Sequence, residues 1–98
     1  MGRVLRTCGV VAQASRMTFI NVEGLDSLAA FAMMSGDNDV TEMAKRMTIR
    51  PTAAGRVILG TMQIKRIQAL VHWVKDYDKR GLVPKPYMWT GDTMMEAI

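Results

Sequence analysis

The chain has one cysteine, Cys8, and one histidine, His72, among 98 residues. A lone cysteine excludes an intrachain disulfide framework and points to a reducing compartment. A lone histidine far from it leaves a zinc site without its ligand set. A thiol nucleophile needs a base and a group that orients the base. His72 is the single imidazole on offer, in the middle of a polar helix stripe, where it reads as a surface residue.

Long apolar runs are missing too. No stretch approaches the ~18 residues that span a bilayer. The apolar patch Cys8–Ala12 is shorter than the ~7–15 residues of a signal core. Residues 1–22 carry Arg3, Arg6 and Arg16 and no carboxylate, so an organellar presequence stays open as an alternative. The chain is expected in an intracellular setting, cytoplasmic or nuclear, and off the membrane.

Catalytic motifs fail one by one. Gly55 and Gly60 have the separation of a phosphate-binding loop, but Thr61 stands where the lysine is required. Asp76 and Asp78 fall on different faces of one helix and do not form an acid–base pair. The expectation is a chain without enzymatic activity or cofactor and with no small-molecule substrate in evidence.

Negative charge is absent from Met43 to Lys75. Within that window Lys45, Arg46, Arg50, Arg56, Lys65 and Arg66 form the candidate nucleic-acid-binding set. Cations on loops and helix entries suit phosphate backbones, because neutralised phosphates release counterions. The competing reading is a solvated basic face partly paired with Glu42, Asp76 and Asp78. A net charge of +4 is compatible with nucleic acid and does not demand it.

What is present is an ordinary globular composition, 49% hydrophobic and 22% charged, which argues against disorder. One domain of this length buries roughly 60–65% of its unfolded surface. Methionine is abundant, at ten residues; it fills gaps in cores and serves adaptable binding surfaces.

The strongest pattern is Met62–Arg80. Ile64, Ile67, Leu70, Val71, Val74 and Tyr77 recur at three- and four-residue spacing on one side of a helix. Lys65, Gln68, His72, Lys75 and Lys79 line the other side. Gly81 and Pro84 stop it. Upstream, residues 13–23 read as a helix closed by Gly24. Asp26 or Ser27 caps a short helix with Leu28, Phe31 and Ala32 inward. Asp39 through Glu42 has capping-box spacing and opens a helix that buries Val40, Met43, Ala44 and Met47. Glu42 faces Lys45 and Arg46 at i+3 and i+4. Residues 48–61 read as a linker, extended or turn-like over Arg56–Leu59.

Residues 82–98 read as a proline-spaced loop, with Tyr87 and Trp89 packing back on the bundle, and the start of a further helix. That helix breaks off on Met94, Met95 and Ile98, the candidate protein interface. The expected fold is all-α, a small bundle of four to five helices with a long C-terminal amphipathic helix. Residues 1–12 form an arm, 13–81 the helical bundle, and 82–98 the loop and helix start.

The segment EGLDSLAAFAMMSGDNDVTEMAK, followed by a basic loop and a long amphipathic helix, resembles the sterile-alpha-motif family over residues 13–80. The family's N-terminal tryptophan signature is missing, and the loop before the last helix is longer. RMTFINVEG ahead of a basic helix also resembles small helical segments in capsid-like proteins of retroelements. Both resemblances imply binding, to protein or nucleic acid, without catalysis. The function expected is protein–protein association, with a protein partner or with a second copy; the alternative is nucleic-acid binding.

Overall fold

A computed structural model describes residues 2–11, 13–49, 51–52, 55–56 and 59–98, with residues 14, 48–49, 51–52 and 55–56 described by their backbone alone. The fold is all-α. Among the described residues six α-helices run in order: α1 Gly2–Thr7, α2 Gln13–Asn21, α3 Leu28–Ala32, α4 Asp37–Ile49, α5 Thr61–Lys79 and α6 Gly91–Ala97. A 3-10 turn at Pro86–Met88 precedes α6. Between α4 and α5, β1 (Pro51–Thr52) pairs antiparallel with β2 (Gly55–Arg56), with Pro51 opposite Arg56. The linker expected at 48–61 therefore begins later, because α4 runs on to Ile49, and its described residues include this short strand pair.

The long helix is the spine but not the end of the chain. α5 has 19 residues, about 28 Å at 1.5 Å per residue, and α3, α4 and α6 pack against it. Its apolar stripe faces inward as the spacing predicts: Ile67, Leu70, Val71 and Val74 are buried, and Ile64 packs at the edge. The helix that closes the chain is the short α6. Behind α5, Gly81 takes φ 71°, a value that suits glycine. There the Leu82 N–H donates to the Tyr77 carbonyl and the Gly81 N–H to the Asp78 carbonyl, the double bond of a Schellman stop.

The segment expected as an N-terminal arm is α1 and part of the core. Val4, Leu5, Cys8 and Val10 are buried there beside Phe19, Phe31, Met43 and Met47. Six helical residues are too few to show a 3.6 period in sequence, so the six helices among the described residues exceed the four or five expected. Arg16 ties this segment down by donating to the carbonyls of Val10 (3.2 Å) and Val11 (2.5 Å).

α4 buries Val40, Met43, Ala44 and Met47, as its spacing predicts. Its start is earlier than expected. The helix opens at Asp37, and the carboxylate of Asp39 accepts from the Ser35 N–H at 2.6 Å. Successive Asp, Asn and Asp residues offer three competing caps, and spacing alone does not choose among them. The caps at Ser27 and Thr90 are direct: each side-chain oxygen accepts a backbone N–H three residues on. Trp89 is buried, whereas Tyr87 is 68% exposed, so only the tryptophan packs back as expected.

Candidate binding surfaces

The fold brings four of the six basic residues to one end. Gln68 Nε2 donates to the Asp37 carbonyl at 3.3 Å and to Thr41 Oγ1 at 3.5 Å. His72 Nε2 lies 2.6 Å from Asp37 Oδ1. Those contacts run α4 and α5 antiparallel. Lys45 and Arg46, late in α4, therefore share an end of the molecule with Lys65 and Arg66, early in α5.

Their charges are not equally free. Lys45 pairs with Glu42 at 3.3 Å. Arg46 pairs with Glu23 at 2.7 Å. Arg66 is half-buried, with Nε enclosed and, among the described residues, without a hydrogen-bond partner, and its Nη1 lies 3.0 Å from where a Cβ on Gly9 would stand. Lys65 is exposed and, among the described residues, in no ion pair. Arg50 and the Arg56 side chain lie outside the described residues.

His72 is surface-exposed, as expected, and its exposed partner is Asp37. The ring sits where α5 crosses the start of α4, so the contact is a clasp between helices. Among the described residues no group of three or more His, Cys, Asp or Glu side chains is arranged to hold a metal ion. Nor is any helix there long and apolar enough to cross a membrane.

Cys8 is enclosed. Its Sγ lies 3.8 Å from the Arg66 carbonyl. Burial pushes the thiol up to about 11, against smaller opposing pulls from the Trp89 indole and the Arg66 guanidinium. A thiol so placed is protonated near neutrality and is a poor nucleophile.

At the terminus, Met94 is a core residue, 7% exposed, while Met95 (67%) and Ile98 (55%) face solvent. The candidate interface read from sequence is thus split, with Met94 in the core and the other two residues at the surface.

A surface that periodicity did not reveal lies at the other end of α5. Leu28, Ala29, Ala32 and Met33 from α3, Val74 and Asp78 from α5, and Leu82, Val83 and Pro84 from the following loop enclose a groove of about 330 Å³. Met33 is 85% exposed, Leu82 51% and Val83 72%. Its lining comes from chain segments more than forty residues apart in the sequence, so no local window could report it. The exposed Leu82-Val83 pair beside Pro84 was the one available signal.

Comparison of the chain with protein-family models, with curated proteins and with solved structures finds no match.

Proposed function

We propose that this protein is a non-enzymatic helical interaction module that receives an amphipathic helix of a partner protein in the groove between α3 and residues 82–84. One observation carries the reading: Met33, Leu82 and Val83 stand in water around an apolar floor of Leu28, Ala32 and Val74. Clustered apolar side chains on a surface mark interaction sites, and a helix laid in a groove is a standard way to cover them. Asp78 is the one charged residue of the lining, and among the described residues its carboxylate is in no ion pair. The occupant therefore carries a lysine or arginine opposite Asp78. The sterile-alpha-motif likeness belongs to this same proposal.

The test uses a labelled amphipathic helical peptide with one central lysine and its lysine-to-glutamate twin, read by fluorescence anisotropy. The lysine peptide binds the parent, Asp78→Lys reverses the preference, and Val83→Asp abolishes both. Parent protein that binds neither peptide sinks the reading. A concentration-dependent dimer that Met33→Asp dissolves would identify a second copy as the occupant and overturn the heterologous partner.

The second reading is nucleic-acid binding at the opposite end. What favours it is the shared position of Lys45, Arg46, Lys65 and Arg66 on antiparallel α4 and α5, continued by Arg50 and Arg56 in sequence. It requires affinity for mixed DNA or RNA that falls steeply with salt and weakens on charge reversal at Arg56 and Lys65. Unchanged binding in those variants removes it.

A further inference from the structure

The face of α5 that meets α6 holds an aromatic corner that neither reading above uses. Trp73 and Tyr77 stand one helical turn apart, with ring centroids 4.9 Å apart and planes inclined at 47°. Trp89 backs Trp73 from the core side at 5.2 Å and fixes the orientation of its ring. The two outer rings, with Asp76, Arg80 and Glu96, border an open groove of about 520 Å³.

The corner already holds a cation. The guanidinium of Arg80 lies 4.8 Å from the Tyr77 centroid, and Asp76 Oδ2 accepts from its Nη2 at 2.8 Å. A positive charge within about 6 Å of an aromatic face is attracted by the ring quadrupole. Across the groove, on α6, Glu96 is exposed and in no ion pair among the described residues. With Arg80 and Asp76 cancelling each other and His72 paired to Asp37, the charge left over on this wall is negative. A half-buried indole lining the same groove as a spare carboxylate has the ring face and the counter-charge that a cation needs.

We propose that the groove between α5 and α6 binds an organic ammonium group, held against Trp73 and countered by Glu96, with Arg80 as the resident competitor on Tyr77. The chemistry fits the side chain of an exposed lysine on a partner or a free quaternary amine. Arg80 is attached to the last turn of α5 and can swing into solvent without disturbing the core.

The two indole N–H resonances in a nitrogen–proton correlation spectrum report on the groove separately. Choline and N-acetyl-lysine methylamide are titrated against the full chain, with 3,3-dimethylbutanol as the uncharged shape of choline and sodium chloride matched for ionic strength. The Trp73 indole signal should move with at least one ammonium probe and stay still with the alcohol and the salt. Whichever probe binds more tightly assigns the source, lysine side chain or free amine. Glu96→Gln should weaken binding by about three-fold, and Arg80→Ala, which uncovers Tyr77 and frees Asp76, should tighten it by about two- to five-fold. Both positions are exposed, so both variants keep the fold, which unchanged core resonances verify. A silent Trp73 signal with both ammonium probes, equal response to the alcohol, or weaker binding in Arg80→Ala each overturns the proposal.

Discussion

Arg46 on α4 reaches Glu23, just beyond α2, with Nη2 2.7 Å from Oε1, and the Glu23 side chain is only 7% exposed. The pair crosses a 23-residue separation and spends one of the cations that an acid-free stretch appeared to leave for a ligand. Its contribution exceeds that of a fully exposed pair, because the acid is shielded while the base stays half in water. A double-mutant cycle with Arg46→Ala and Glu23→Gln should return a coupling of about 1 kcal/mol in urea unfolding. A coupling indistinguishable from zero would make the contact incidental and return Arg46 to the free basic set.

Gln63 joins both ends of its amide to backbone. Its Oε1 accepts from the Gly60 N–H at 2.8 Å, and its Nε2 donates to the Gly9 carbonyl at 2.7 Å. One side chain thus caps the start of α5 and fastens α1 to it. Gln63→Ala should cost about 1–3 kcal/mol, the usual loss when part-buried polar groups lose partners. Gly9→Ala should cost a similar amount by another route. Its φ of 93° is poor for any side chain, and the new methyl would press on Arg66 and Gln63. Because both changes strike the same contact, the double variant should lose less than the sum. Thermal or urea denaturation of the three proteins decides it.

The parts of this fold that sequence revealed are those governed by local spacing. Val40, Met43, Ala44 and Met47 on α4, and Ile67, Leu70, Val71 and Val74 on α5, recur at intervals that only a helix can bury together. The Glu42–Lys45 pair follows from the same geometry. What escaped are relations that cross the chain. α1 becomes visible only through the core it enters, and Gln63 acts on Gly9 across 54 positions. The apolar groove draws on α3 and on the loop after α5. The cations fell in one acid-free window, yet the acid that takes Arg46 lies outside it at Glu23.

Trp89 and Tyr87 sit two residues apart around the 3-10 turn with opposite fates, 2% and 68% exposed. Trp89→Ala should cost about 3–5 kcal/mol, the range for emptying a large aromatic site, and should loosen Trp73, whose ring is tilted against it. Tyr87→Ala should stay within about 0.5 kcal/mol of the parent, as exposed positions do. Equal losses at the two positions would mean that the loop packs differently from the arrangement described. The midpoint of denaturant unfolding reads both.

Cys8 makes the alkaline limb of stability a direct report on the core. Its thiol sits at about 11 in the fold, against 9.0 without burial. Between those values the unfolded chain has lost the proton and the folded chain keeps it, so the unfolded state binds fewer protons and folding weakens as pH rises. The stability tied to this group is intact below pH 9 and falls by roughly 2–3 kcal/mol by pH 11. Cys8→Ala removes the titration, at some cost in packing at every pH. Its stability should therefore decline less steeply than the parent's across the same window, and the two curves should converge. A thiol reagent offered at pH 8 should label the parent only as fast as it unfolds. Rapid labelling under native conditions, or parallel stability curves for the two proteins, would place Cys8 in contact with solvent and outside the core.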